Sequence, residues 1–214
     1  MSYKMSFPAE DFIPTRYSLL SRLKNWDDQD SWKDFFDTYW RLIYAIALKS
    51  GLTDTEAQEV VQETIISVAK NIQKFRHDPS LGSFKGWLRN LTRWRILDQI
   101  RKRTDLQLGA GNLAGKTDPP PDLASIPSTS EEESVWENEW RVNLMAVALE
   151  NIRKQVKEEY YQMFDLYVLK QWPVAKVAHT LGTNAARVYL AKFRVSALIK
   201  KEIHRLENQG NHLS

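Results

Sequence analysis

Residues 84–103 read FKGWLRNLTRWRILDQIRKR, a proline-free stretch that follows a loop with Pro79 and Gly82 and therefore predicts a helix. It carries seven Lys or Arg against a single acid, Asp98, and Trp87 and Trp94 stand among the cations. Dense positive charge attracts a polyanion, and interleaved indoles can stack on bases or separate a duplex. The alternative is a solvated basic face above a core that the two indoles anchor.

The charge of the whole chain is segregated. The 214 residues have a net charge of only +3, but residues 84–103 carry +6, seven basic residues less one acid. Residues 104–139 hold eight acids against one lysine, a net −7, and residues 187–205 hold six basic residues against one glutamate, a net +5. Two basic blocks on either side of an acidic segment indicate two surfaces for a polyanion.

Composition excludes several classes of protein. Apolar residues make up 43% and charged residues 27%, as in a globular chain long enough for one large or two small domains. The chain has no cysteine, which excludes disulfides, thiolate zinc sites and cysteine nucleophiles. Its histidines are scattered, so we expect no metal site and no cofactor. The first ten residues lack the apolar run of a secretion signal, and no stretch approaches a membrane span, so we expect a cytoplasmic protein without membrane insertion.

Helical periodicity dominates, and we predict an all-α fold of two small helical domains joined by a flexible acidic linker. Gly51 is expected to end one amphipathic helix, and Asp54 to cap the next. Residues 104–130 are rich in Gly, Pro and Ser, which predicts the linker. The expected organisation is a tail over 1–14, domains over 15–103 and 131–206 separated by the 104–130 linker, and a tail over 207–214. The first helix has apolar residues at helical spacing at Trp32, Phe35, Phe36, Tyr39, Ile43, Ile46 and Ala47.

Residues 173–195 predict a helix-turn-helix, with Gly182 in the turn and Thr183 or Asn184 capping the second helix. The second helix carries cations on its outer side, so we expect it to enter a DNA major groove. An ordinary helical hairpin is the alternative. The candidate base-edge and backbone contacts are Asn184, Arg187, Tyr189, Lys192 and Arg194.

Glu56, Glu59 and Glu63 form an acidic ridge at i, i+3 and i+7 of a predicted helix, and Gln62 lies beside them. No histidine accompanies the ridge, and exposed carboxylates keep pKa values unsuited to general acid catalysis. The remaining interpretations are a solvated face and a docking surface for a basic partner.

These three segments, in this order, resemble bacterial RNA polymerase sigma factors of the extracytoplasmic-function type, and residues 15–20 and 26–29 resemble a planctomycete-like sub-group. The resemblance implies that Glu56, Glu59, Gln62 and Glu63 contact the clamp helices of the large polymerase subunit. It implies that residues 84–103 engage and open the promoter −10 element and that residues 174–194 read the −35 element. The expected −10 contacts are Lys85, Trp87, Arg89, Arg93, Trp94, Arg101 and Arg103.

The resemblance therefore implies a transcription initiation factor, not an enzyme, whose partners are core RNA polymerase, promoter DNA and, as is common in this family, an anti-sigma factor. Trp94 departs from the family pattern, which often has Asn there, and Lys192 stands where the family has an apolar residue. We expect packing to shift to Ala191 and Val195, and Asp98 to pair with nearby Arg and Lys side chains.

A stand-alone helix-turn-helix regulator is the alternative, although it leaves the basic, aromatic 84–103 segment unexplained. A nuclease-like enzyme built on the Glu ridge is disfavoured, because the sequence offers no Gly-rich phosphate loop, metal-ligand cluster or nucleophile–base pair to support it.

Overall fold

The computed structural model describes residues 19–73, 75, 83–108 and 128–208, and every regular element in these ranges is a helix, which confirms the all-α prediction. The predicted tail over 1–14, residues 209–214 of the other predicted tail and residues 109–127 of the predicted linker lie outside the described residues. Helix α8 continues two residues into the predicted C-terminal tail, and α4 and α5 extend into the two ends of the predicted linker. The helices are α1 (Leu19–Leu23), α2 (Gln29–Lys49), α3 (Asp54–Asn71), α4 (Phe84–Gln107), α5 (Ser130–Gln155), α6 (Glu158–Phe164), α7 (Val174–Thr180) and α8 (Ala185–Asn208), with one turn of π-helix at Asp165–Leu169 between α6 and α7.

Side-chain caps fix where the long helices begin. The Thr53 hydroxyl accepts from the backbone N–H of Glu56, whose carboxylate accepts from the backbone N–H of Thr53, so α3 opens with a capping box. Our prediction that Asp54 caps this helix is wrong by one residue, because Thr53 has the extended backbone that a cap requires. Helix α5 opens in the same way, with Thr129 and Glu132.

Two glycines with left-handed backbone lie at turns between helices. Gly51 follows α2 with φ of 81°, and Gly182 lies between α7 and α8 with φ of 59°. Glycine adopts this conformation without the steric conflict that a Cβ atom would create. The predicted turns at both positions are therefore confirmed.

One hydrophobic cluster runs through most of the described structure. Tyr39 of α2 stacks on Trp140 of α5 with ring centroids 5.6 Å apart, and Phe84 of α4 contacts Tyr39 at 5.7 Å. Helix α2 thus packs between α3 on one side and α5 on the other, and α5 also packs against α8. The core is shared between segments on both sides of the predicted linker, and the division into two domains stays a prediction.

A second, smaller cluster holds the last helices together. Its buried members, from α6, α7 and α8, are Met163, Val177, Val188 and Ala191. The predicted shift of packing to Ala191 and Val195 is confirmed, since both are buried. The cluster fixes α7 against α8, which leaves the outer face of α8 to solvent.

Within the described ranges, none of the helices combines the length and apolarity that crossing a bilayer requires.

Candidate polymerase and nucleic-acid interfaces

Helix α4 presents a row of cations along one side. Lys85, Arg89 and Arg93 recur every four residues, so their side chains project from the same face of the helix. Ser83 caps α4 by accepting from the Gly86 N–H, which fixes the start of the row. All three side chains are half-buried.

The acidic start of α5 lies against this row. Lys85 Nζ is 2.5 Å from a carboxylate oxygen of Glu137, Arg89 Nη1 is 3.3 Å from Glu133, and Arg93 Nε is 3.2 Å from Glu132. Residue numbers rise along α4 as they fall along α5, so the two rows pair in antiparallel order. Three of the cations that we expected to contact the −10 element are therefore paired with carboxylates of the same chain.

The pKa of Glu132 lies below its ordinary value, chiefly because its carboxylate accepts the backbone N–H of Thr129. Burial opposes the shift, and the hydrogen bond and charge of Arg93 reinforce it. Glu132 therefore serves both the cap of α5 and the contact with α4.

The two tryptophans of α4 face the interior. Trp87 packs against Phe75 and Phe84, at ring distances of 5.0 and 5.7 Å. Trp94 is only 7% exposed, and the Arg95 guanidinium lies 4.4 Å from the centre of its ring. Arg95 is itself buried and donates to the Ser67 hydroxyl. In this arrangement both indoles contribute to packing, but Trp94 is buried whereas Trp87 is half-buried.

The C-terminal half of α4 meets α3. Arg103 approaches Glu56 at 3.4 Å, and Gln99 donates to Glu59 at 2.9 Å. Asp98 pairs within its own helix with Arg101 at 3.6 Å and Lys102 at 3.0 Å, which confirms its predicted local role. Arg101 is exposed, whereas Arg103 is half-buried.

The predicted acidic ridge lies on α3, but its members differ in environment. Glu56 belongs to the capping box, and its pKa lies below the ordinary value mainly because it accepts the backbone N–H of Thr53. Glu59 and Gln62 are exposed, whereas Glu63 is half-buried. The side chains most accessible to a partner on this ridge are therefore Glu59 and Gln62.

An apolar groove beside the ridge was not predicted from the sequence. Phe36, Trp40 and Tyr44 of α2 line it together with Gln62 and Ile65 of α3, and its volume is about 630 Å³. Phe36 is 43% exposed, so its predicted place on a buried stripe is wrong. The i, i+4, i+8 spacing of three aromatic residues on α2 is the signal that identifies the groove, because such residues project from one face.

Helices α7 and α8 are joined by the turn that contains Gly182, and the helix-turn-helix assignment stays a prediction. The side chain of Asn184 accepts from the Arg187 N–H, which confirms its predicted capping role. Arg187 lies 3.6 Å from Glu159, and Arg194 donates to the Tyr160 hydroxyl at 3.5 Å. The five predicted −35 contacts, all exposed, are Asn184, Arg187, Tyr189, Lys192 and Arg194.

Phe193 was not singled out from the sequence, yet it is 74% exposed, between Lys192 and Arg194 on the outer face of α8. An exposed phenylalanine among cations can contact a thymine methyl group in a DNA groove. The sequence could have indicated its exposure, because Phe193 falls outside the apolar positions Val188, Ala191 and Val195 that face the core.

Comparisons with known proteins relate part of this chain to sigma factors. Residues 35–105, which contain most of α2, all of α3 and most of α4, match the family described as Sigma-70 region 2. A curated relative, the ECF RNA polymerase sigma factor SigE of Mycolicibacterium smegmatis, is 24% identical over 115 residues, which cover 51% of this chain and 43% of SigE. The chain thus aligns with less than half of the length of that relative.

A solved structure, described as CnrH in complex with the cytosolic domain of CnrY, is 16% identical, with a TM-score of 0.34 over 87% of this chain and 95% of that one. The predicted planctomycete-like sub-group finds no support in these relatives, and part of the segment that suggested it lies outside the described residues. The acidic ridge of α3 and the cationic row of α4 both fall within the matched family segment. Residues 35–105 therefore match Sigma-70 region 2, and over about half of its length the chain is similar to a sigma factor of the extracytoplasmic-function type.

Proposed function

We propose that this protein is a transcription initiation factor that binds core RNA polymerase, directs it to specific promoters and helps open their −10 element. The observation that carries the proposal is the cationic row of α4 inside a segment that matches Sigma-70 region 2. Polymerase makes the phosphodiester bonds, and this protein contributes binding and positioning. An anti-sigma partner and a cytoplasmic location remain predictions.

The docking surface that we propose for polymerase combines the α3 ridge with the apolar groove. Gln62 lines the groove together with the aromatic side chains of α2, and Glu59 is exposed on the same helix as Gln62. A helix with an apolar stripe flanked by cations suits this surface, because the stripe fills the groove while the cations meet Glu59 and Glu63. Charge steers the encounter, and the groove supplies the buried apolar area.

At the −10 element, Lys85, Arg89 and Arg93 would bind phosphates and so position the strand without reading its sequence. Unstacking and flipping a base costs a few kcal/mol, so the opened strand must bind the protein better than the duplex does. The loop between Phe75 and Ser83 is our candidate pocket for a flipped base, and most of it lies outside the described residues. Phe75, at one end of this loop, packs against Trp87.

At the −35 element, the exposed start of α8 would enter the major groove. Asn184 and Arg187 stand at its first turn, where a bidentate contact with a base contributes roughly 1–3 kcal/mol of discrimination. Tyr189, Lys192 and Arg194 follow on the exposed side of α8. The same geometry also suits a stand-alone DNA-binding regulator, so polymerase binding is the property that distinguishes the two functions.

The test is the affinity for bacterial core RNA polymerase of the wild type and of a Glu59→Arg/Glu63→Arg variant. The matched control, Asp27→Arg/Glu207→Arg, makes the same change in charge at two exposed positions away from the groove. We expect tight binding by the wild type and the control, and at least roughly tenfold weaker binding by the ridge variant, because two attractive charges become repulsive.

Equal binding by all three proteins would show that the docking surface does not include the acidic ridge of α3. Absence of polymerase binding by the wild type, together with tight binding to duplex DNA, would contradict the proposal and favour the stand-alone regulator. The control separates loss of the ridge from a general effect of added positive charge.

A further inference from the structure

We propose that Leu190 and Phe193 of α8 recognise thymine methyl groups in the −35 element, so that part of the promoter is read through apolar contacts. The inference rests on the proposed function and deepens it, because it names the chemical group that the middle of α8 would recognise. The five −35 contacts expected from the sequence include neither residue.

An apolar stripe runs along the solvent side of α8. Its members, Ala186, Leu190, Phe193 and Ala197, follow one another at steps of four, three and four, so they project from one face of the helix. All four residues are exposed, although the stripe includes a phenylalanine and a leucine. The buried residues of α8 lie on the opposite face, and no member of the stripe belongs to either hydrophobic cluster of the described residues. The stripe is therefore a surface that a partner can cover.

The charges beside the stripe favour DNA as that partner. Arg187, Arg194 and Lys201 recur every seven residues, so they line one edge of the stripe, and all three are exposed. Residues 185–201 contain five Lys or Arg and no Asp or Glu. A second copy of this chain on the same face would bring like charges together, which opposes association. The phosphates along a DNA groove are the complementary partner.

Aromatic contacts with the π-helical turn draw two neighbouring side chains to one side of α8. Tyr189 packs edge-on against the Tyr167 ring, with ring centroids 5.7 Å apart, and Lys192 Nζ lies 5.4 Å from the centre of the same ring. By contrast, Phe193 contacts none of the aromatic rings that the structure describes, and it is 74% exposed. Leu190 and Phe193, rather than Tyr189 and Lys192, therefore project directly away from the core at this part of α8.

The spacing of the pair suits neighbouring base pairs. Leu190 and Phe193 are three residues apart, which is about 4.5 Å along a helix that rises about 1.5 Å per residue. Base pairs follow one another at about 3.4 Å, so a helix in the major groove would bring the two side chains over adjacent base pairs. In that groove thymine presents a C5 methyl group, and apolar side chains contact it. The inference thus predicts thymines at two adjacent base pairs, on the same strand or on opposite strands.

The test removes the methyl group and nothing else. Duplex sites are selected from a random library by the full-length protein, with and without core RNA polymerase. Each thymine of the selected site is then replaced singly by deoxyuridine, which lacks only the 5-methyl group and still pairs with adenine. Fluorescence anisotropy gives the ratio of the affinities for the thymine and uracil duplexes. A general change in folding or in polymerase affinity cancels in this ratio.

We expect the wild type to bind roughly fourfold more weakly when uracil replaces thymine at either of two adjacent base pairs, the factor for one methyl group withdrawn from an apolar contact. Leu190→Ala/Phe193→Ala should bind the thymine and uracil duplexes equally at these positions. The matched control, Val142→Ala/Met145→Ala, truncates two exposed apolar side chains at the same spacing on α5 and should keep the fourfold ratio.

Equal binding of thymine and uracil by the wild type at every position of a selected site would overturn the inference and leave DNA reading by this protein intact. A fourfold ratio that persists in Leu190→Ala/Phe193→Ala would overturn it as well. Light scattering measures the molar mass, and a dimer that the double substitution converts into a monomer would assign the stripe to a second copy of the chain instead. Selection of no duplex would contradict the inference, and absence of polymerase binding in addition would contradict the proposed function.

Discussion

Asn184 illustrates how one side chain can serve both the fold and DNA recognition. Its amide oxygen caps α8 by accepting from the Arg187 N–H, while the residue itself is exposed at the proposed groove-facing end. A loss of DNA binding on substitution would therefore have two explanations, an uncapped helix or a lost base contact. Serine separates them, because it caps about as well as asparagine but lacks the amide.

We predict that Asn184→Ala lowers the free energy of unfolding by about 1 kcal/mol, whereas Asn184→Ser changes it by only a few tenths. Both variants should lose affinity for duplex DNA selected by the wild type from a random library, since neither can bind adenine bidentately. Urea unfolding gives the stability and fluorescence anisotropy the affinity. Wild-type DNA binding by the serine variant would restrict Asn184 to capping.

At the scale of elements, the sequence predicted the helices well and their partners poorly. The start of α4 at Phe84 and the turn at Gly182 follow from residues that act within a few positions, such as Ser83 and glycine. The exposed face of Phe36 was missed, because periodicity groups residues by face without showing which neighbour covers that face. The pairing of Arg89 with Glu133 joins residues 44 positions apart, and no local pattern encodes such a contact.

The junction of α5 and α8 makes stability depend on pH. Burial raises the pKa of Glu202, but hydrogen bonds from Arg205 and Asn151 outweigh it, and the net pKa lies below the ordinary value. A carboxyl group with a lowered folded pKa stabilises the fold above its unfolded pKa of about 4.3. That stabilisation is lost as the pH falls through the folded pKa.

We therefore predict that Glu202→Gln is less stable than the wild type at neutral pH and that the difference shrinks below about pH 4. Unfolding by urea between pH 7 and pH 3 measures it. Glu207→Gln, on the exposed side of the same helix, is the control and should follow the wild type throughout. A constant difference between Glu202→Gln and wild type across this range would show that ionisation of Glu202 does not carry the effect.

At the scale of the whole molecule, the shared core links segments that the sequence assigns to separate domains. Tyr39 of α2 contacts both Phe84 of α4 and Trp140 of α5. The sequence did not reveal this, since each of these helices has an apolar face that could equally well be buried within its own half. Mutual burial of large aromatic side chains couples the unfolding of the helices that carry them.

We predict a single cooperative unfolding transition, with coincident urea curves from tryptophan fluorescence and far-ultraviolet circular dichroism. Trp140→Ala should destabilise the protein by roughly 3–5 kcal/mol, because it removes a buried indole from the contact between α2 and α5. Phe193→Ala, at an exposed position on α8, is the control and should change stability little. Two separate transitions in the wild type would instead support two independently folding domains.

The buried amide of Asn143 sets the alignment of α5 on α2. Its hydrogen bond to the Thr38 carbonyl forms at one alignment only. A slip of α5 by one helical turn, about 5.4 Å, would leave both polar groups without a partner between apolar side chains. Tryptophan and tyrosine faces tolerate such sliding better, because dispersion is not directional. Asn143 therefore fixes the position of α5 along α2, and with it which carboxylates lie beside Lys85 and Arg89. Asn143→Leu would allow α5 to slide along α2. The salt dependence of DNA binding would then change through a residue that contacts neither DNA nor a charged group.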